Sequence, residues 1–360
     1  LVVYVIQLKV RILMNNKNFC MSSYLAFRYI IDDEKNFCEN FQHRTYNMIP
    51  EEKKILVNSA QEIDYALEEQ FGEINNKKLG LLLSGGMDSA CLAAYMSGRD
   101  AYTFRFLDGN YQKEELKRAE YYAKKYNLKL HYVDISWNTV ENHIDEIMNK
   151  KGAPVHSIEP QVFQAALQAK DDGIETLVIG DAADYVFGGM DGLYKKDWTY
   201  EEFKERYIYV KPEDVLKEPE NMDYAFAKYR IGEKIDFISF MHEYTDIESY
   251  SSYENAFYSA GMDYIDPYEK LKMAHAIDLN RIRNGESKYL IRELFRMKYP
   301  EISIPVKLPM PRPVDEYFKN WKGPVSAEFK DNINMSNYTG NQKWLIWCLE
   351  RFLNMNNIKK

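Results

Sequence analysis

What this sequence lacks narrows its role first. It has only four cysteines, Cys20, Cys38, Cys91 and Cys348, with no CxxC pair or other metal-ligand spacing. Such a scatter offers neither a disulfide framework nor a zinc site, and it fits reduced thiols in a cytoplasmic protein. Acids outnumber bases, and the formal charge of −8 leaves no overall basic footprint for nucleic acid. No apolar run reaches the length of a membrane-spanning helix. Val2-Val3-Tyr4-Val5-Ile6 is soon broken by Lys9 and Arg11 and is not followed by a small-residue cleavage site. There is no internal repeat and no low-complexity linker. The chain begins with Leu1, so residues 1–20 carry no functional weight in this reading, and Met21 makes a more natural beginning. What is left is a chain 46% hydrophobic and 28% charged, with enough length for one large domain or two ordinary ones.

Against this background residues 79–90, Leu-Gly-Leu-Leu-Leu-Ser-Gly-Gly-Met-Asp-Ser-Ala, stand out. A buried-strand pattern ends in Ser84-Gly85-Gly86, and an Ala-rich helical pattern follows at once. Glycines let the backbone close around an anion, and the start of a helix offers unpaired N–H groups and a positive dipole end. Ser84 and Ser89 add hydroxyls, and Asp88 is a candidate for the Mg²⁺ that a polyphosphate carries. The lysine of the GxxxxGK[ST] phosphate loop is absent, so this is a different loop. A chance Ser-Gly-Gly turn before a helix is the plain alternative.

The rest of the first half reads as alternating strands and helices. Pro50-Glu51-Glu52 opens a long helical pattern through Ile55, Leu56, Ala60, Ile63, Ala66 and Leu67. Strands are expected at 79–83, 101–106, 128–135 and 176–179, with helices to about Met96, over 113–126, and twice more before Thr176. Such alternation implies a parallel sheet covered on both faces, with ligands beyond the carboxyl ends of the strands. Ser84-Gly85-Gly86 and Gly180-Asp181 both stand at such ends, so one mouth could hold both. From about residue 195 the alternation stops and a mainly helical half is expected.

Residues 177–190 read Leu-Val-Ile-Gly-Asp-Ala-Ala-Asp-Tyr-Val-Phe-Gly-Gly-Met. SGGxDS is the signature of the ATP pyrophosphatases. Together the two stretches resemble the synthetase domain of asparagine synthetases, whose second motif commonly reads G-E/D-G-x-D-E-L-F-G-G-Y. Gly180, Asp181, Asp184, Phe187, Gly188 and Gly189 match it in order. Glu115, Ala119 and Ala123 supply the family's E-x3-A-x3-A helix, and Ser287-Lys288-Tyr289-Leu290-Ile291-Arg292 resembles its K-x-x-L-R helix start. Lys307 resembles a lysine that follows the family's L-P element, and residues 24–30 resemble its interdomain segment. The resemblance spans roughly residues 21–320 and includes no glutaminase domain.

The resemblance implies an α/β fold of the adenine-nucleotide α-hydrolase type: a doubly wound parallel sheet at 51–195, a mainly helical 196–360, and a linking segment at 1–50. It implies ATP and Mg²⁺ as cofactors. The reaction is adenylation of a small-molecule carboxylate, then attack by ammonia or an amine, with a separate glutaminase as a possible partner. It further implies that Asp88 and Asp184 share the Mg²⁺–pyrophosphate, and that Lys288 and Lys307 stabilise developing charge. Asp181 is the base that takes the amine's proton, and Leu82, Phe106, Ile179 and Gly180 lie along the nucleotide. Each has a plain alternative: a turn cap for Asp181, a solvated loop acid for Asp184, a surface lysine for Lys288, and sheet core for the apolar residues.

Departures fall on the acceptor side. The family places Glu where Asp181 and Tyr185 stand. Its G-L-E-x-R-x-P-F-L-D element appears as residues 261–270, with Ile265 for the arginine and Lys270 for the last aspartate. These changes question aspartate as acceptor more than adenylation. Two other classes stay open: a sulfur-transfer ATP pyrophosphatase, and a nucleotide-binding protein without catalysis.

Overall fold

The computed structural model describes residues 16–38, 41–108, 112–306, 310, 312–356 and 358. Its centre is a five-stranded, all-parallel sheet. β1 (Ile55–Val57) lies outside that sheet, and β2 (Leu79–Leu82), β3 (Asp100–Phe106), β4 (Lys129–Ile135) and β5 (Thr176–Val178) build most of it. The fifth strand, β6 (Asp263–Ile265), comes from the second half of the chain. The order is β4-β3-β2-β5-β6, so the winding reverses between β2 and β5. That reversal opens a crevice at the carboxyl ends of these two central strands.

Side chains alternate across the sheet as the period-two geometry of a strand requires. Leu79, Leu81 and Leu83 enter one apolar core with Met87, Ala90 and Leu92. Leu82, Tyr102, Phe106, Leu177 and Ile179 enter the other. The helices that cover these faces include α2 (Ala60–Glu73), α3 (Met87–Ala93), α4 (Lys113–Lys125), α5 (Trp137–Lys151) and α6 (Glu159–Asp171), after α1 over residues 16–27. Ser59 caps α2 by accepting the Glu62 N–H, and Gly152, at φ 70°, closes α5.

Beyond the short α7 (Ala183–Val186), the long α8 (Phe237–Ala260) packs on α6 and α5. It buries polar side chains, among them Glu248, Ser249, Ser252 and Asn255, beside Phe240, Tyr253 and Phe257. α9 (Tyr289–Lys298) packs on α3 and α2. Among the described residues no helix is long and apolar enough to cross a membrane.

Three expectations change. The helix expected from Pro50 begins only at Ala60. Residues 51–53 form a single 3-10 turn, and β1 pairs in parallel with β7 (Leu271–Met273) in a two-stranded sheet. The branched and apolar Ile55-Leu56-Val57 suits a strand once a partner is supplied from far along the chain. Secondly, α3 stops at Ala93, and turns carry the chain to Met96. Thirdly, residues 16–20 lie within α1, where Phe19 and Cys20 are buried. The second half is mainly helical as expected, but it also returns a strand to the central sheet.

Candidate functional site

The loop after β2 is held by its own hydroxyls. The Ser84 N–H donates to Ser89 Oγ at 3.0 Å, and the Gly86 N–H donates to Ser84 Oγ at 3.1 Å. The two hydroxyls lie 3.0 Å apart. α4 seals the outer side of the loop: a Cβ at Gly85 would stand 2.5 Å from the Glu115 carbonyl oxygen, so no side chain fits there. The Glu115 carboxylate also accepts the Gly85 N–H. Burial raises its pKa, with Arg118 and that bond opposing. The Glu of the E-x3-A-x3-A pattern is thus a brace for the phosphate-type loop.

The second motif follows β5, immediately beside this loop in the sheet. Lys288, at the start of α9, joins the two. Its Nζ lies 2.6 Å from Asp88 Oδ2 and 2.7 Å from Asp184 Oδ1, and only 3% of its side chain is exposed. Burial pulls the ammonium's pKa down, but the two carboxylates outweigh it and the net shift is upward. Lys288 therefore stays charged, in the left-handed region at φ 52°. Two carboxylates that converge on one ammonium also fit a Mg²⁺ completed by phosphate oxygens, since Mg²⁺ is commonly held by one or two carboxylates plus substrate. Among the described residues no group of three or more His, Cys, Asp or Glu makes a metal cage.

Asp181 accepts a 2.6 Å hydrogen bond from Ser249 Oγ on α8. Burial pushes its pKa up to about 7. The Ser249 bond opposes this, and the charges of Asp184, Glu248 and Asp88 add to it. Tyr185, where the family has Glu, shares Ser249 as a neighbour and has its own pKa pushed up by burial.

One turn after β6 registers both loops. The buried Asp266 accepts the Ala182 N–H at 2.7 Å and the Tyr268 N–H at 3.1 Å. Tyr268 in turn donates its hydroxyl to the Asp88 carbonyl at 3.0 Å. Asp181 and Asp88 thus hang from the same short segment. Tyr268 stands where the family pattern has Phe, so this hydroxyl contact is a feature of this chain.

These groups surround a cavity of about 230 Å³. From the first motif Leu82, Ser84, Gly86, Asp88 and Ser89 line it, and from the second Ile179, Gly180, Asp181 and Asp184, with Lys288 between. Gly85 faces α4 instead of the cavity. Phe106 does not line it either: the residue is buried in the core, and its backbone is paired to the Gln112 side chain. Thr103 and Phe104 form the β3 wall in its place. Lys307 lies outside the described residues. Ile265 lines a separate groove at the sheet edge with Glu254 and Tyr258, and does not line this cavity.

Lining residues that the sequence did not mark include Gln112, Arg118 and Tyr253, while Arg292 is the arginine of the K-x-x-L-R helix start. Arg118 was readable in principle, since it stands three residues after Glu115 and so shares its helix face. Three of the cysteines are buried, Cys38 is half-buried, and none of the four lines the cavity.

A profile of the asparagine synthase family matches residues 62–280, more than half of the chain. A stretch of 120 residues is 32% identical to a Methanocaldococcus jannaschii protein assigned as a glutamine-hydrolysing asparagine synthetase. That stretch covers 31% of this chain and 21% of that protein, so the match spans about a fifth of the relative's length. Among solved structures, the U34-tRNA thiolase NcsA of Methanococcus maripaludis aligns over 82% of this chain and 79% of its own, at 14% identity and a TM-score of 0.34. NMN synthetase from Francisella tularensis aligns over 71% and 100%, at 10% identity and a TM-score of 0.28. The family match covers both loops and the β6 turn that registers them, and the chain belongs to the asparagine synthase family.

Proposed function

We propose that this protein is an ATP-dependent, amide-forming synthetase that activates a carboxylate as an acyl-adenylate. One observation carries the proposal: Lys288 draws Asp88 and Asp184 together while Asp181 lines the same cavity. A carboxylate is a poor electrophile, and transferring AMP to it creates a good leaving group. The carboxylate oxygen attacks the α-phosphorus, the bond to the β-phosphate oxygen breaks, and pyrophosphate departs. An amine or ammonia then attacks the acyl carbon, AMP leaves with the carboxylate oxygen, and the amide remains.

Each group has a task in this sequence. The Ser84-Gly85-Gly86 loop shapes the seat of the polyphosphate, and Leu82, Ile179 and Gly180 flank the nucleotide. Asp88 and Asp184 would hold Mg²⁺, which when bound neutralises the polyphosphate. Lys288 stabilises charge at the α-phosphate, a preorganised contribution of the oxyanion-hole kind. By the family resemblance Lys307 joins it. Asp181 receives the proton that the attacking amine must lose, and a pKa near 7 suits a base working near neutrality. Nitrogen comes from ammonia, a substrate amine or a separate glutaminase.

The direct test incubates the protein with ATP, Mg²⁺, ammonium and a panel of carboxylates. Equal amounts of pyrophosphate and AMP with an amide product support the proposal. Release of ADP, or transfer of sulfur instead of nitrogen, contradicts it.

A further inference from the structure

Arg118 has no part in the scheme above, yet it lines the same cavity as Ser84, Gly86, Asp88 and Lys288. Its Nε is buried and has no hydrogen-bond partner among the described residues. Glu115, one turn away on α4, acts on it only through space, and that carboxylate already accepts the Gly85 N–H. A buried, charged donor left unsatisfied is costly, so its place calls for an acceptor from outside the chain.

The loop beside it has few donors to spare. The Ser84 and Gly86 N–H groups are used on the loop's own hydroxyls, and the Gly85 N–H on Glu115. Lys288 is matched by two carboxylates. Arg292 spends its Nε on the Ser287 carbonyl at 2.7 Å. Arg118 is thus a charged donor beside this loop whose buried Nε still lacks an acceptor among the described residues. A guanidinium forks onto phosphate oxygens better than any other side chain. α4 closes over the Gly85 side of the loop, while Asp181 and the apolar nucleotide wall lie elsewhere around the cavity.

We propose that Arg118 binds the β- and γ-phosphates of ATP and holds the pyrophosphate as it departs. This rests on the reading of the protein as a pyrophosphate-releasing synthetase. The experiment is titration calorimetry of the intact chain with Mg²⁺–pyrophosphate and, separately, with AMP. It compares wild type, Arg118→Gln and Arg118→Lys, with melting curves as the check of folding. Arg118→Gln is expected to weaken pyrophosphate binding roughly ten- to hundredfold, the range for a charged hydrogen bond, with AMP affinity unchanged. Arg118→Lys recovers part of the loss and keeps the test open if the glutamine variant does not fold. Unchanged pyrophosphate affinity in Arg118→Gln overturns the inference and leaves the synthetase reading intact. An equal loss of AMP and pyrophosphate assigns Arg118 a structural role and also overturns it. A wild type that binds AMP or ATP but no pyrophosphate defeats both.

Discussion

Lys288→Met removes the ammonium that Asp88 and Asp184 share, and its cost can be worked from the geometry. The lysine side chain is 3% exposed and the two carboxylates 21% and 26%, so the group is buried on one side and partly wet on the other. Removing one partner of a fully buried ion pair costs roughly 3–5 kcal/mol, and partial exposure of the acids favours the lower end, about 3 kcal/mol. Unfolding entropy is about 2.1 cal/mol/K per residue. For 360 residues the melting temperature should then fall by about 4 °C. The same substitution opens the carboxylate pair to other cations. Millimolar Mg²⁺ without nucleotide should restore part of the lost stability in the variant and shift the wild type less, because there it competes with a tethered ammonium. Turnover should drop by about a hundred- to a thousandfold. Melting curves with and without Mg²⁺, beside a pyrophosphate-release assay, measure all three. An unchanged melting temperature, or an equal Mg²⁺ shift in both proteins, would refute the shared-ammonium account.

Four further substitutions separate the parts of the site. With Asp181 active as a carboxylate whose pKa is about 7, log kcat/KM should rise with pH and level off above neutrality. Asp181→Asn should flatten that limb and lower amide formation by about 10²–10⁴-fold, while ATP–pyrophosphate exchange persists. A Cβ at Gly189 would stand 2.0 Å from Asp184 Oδ1. Gly189→Ala must therefore swing that carboxylate off Lys288, and a displacement of this size should cost about a hundredfold in turnover. Asp266→Ala leaves the buried Ala182 N–H without its acceptor and should destabilise by about 1–3 kcal/mol. Tyr268→Phe, which restores the family's residue, should cost only about 1 kcal/mol. A larger effect from Tyr268→Phe than from Asp266→Ala would invert the assigned roles of the two anchors.

The strands at the centre were legible because each carries its own signal. Leu79–Leu82 is a continuous apolar run of the kind parallel sheets bury, and Thr176–Val178 sits just before a Gly-Asp turn. β1 and β6, three residues each like β5, were not legible because neither is followed by a glycine turn of the kind that marks β5, and their partners lie far along the chain. Ile55 and Leu56 fell instead into the apolar stripe of the helix that follows. In the site, the glycine-rich loops announced themselves by composition, but the ion pairs did not. Nothing local in the sequence says that Lys288 reaches across to Asp88 and Asp184, or that Ser249 bonds to Asp181. Those contacts are set by how α8 and α9 pack, and the family resemblance anticipated the residues without the geometry. Arg118 was hidden for the opposite reason: a charged residue on a charged helix reads as solvated surface.

The central claim is that the carboxylate is activated at phosphorus. With both carboxylate oxygens of a productive acceptor labelled with ¹⁸O, each turnover should leave one labelled oxygen in the phosphoryl group of AMP, read by mass spectrometry. Label found in pyrophosphate or inorganic phosphate, or AMP formed without label, would contradict an acyl-adenylate at this site.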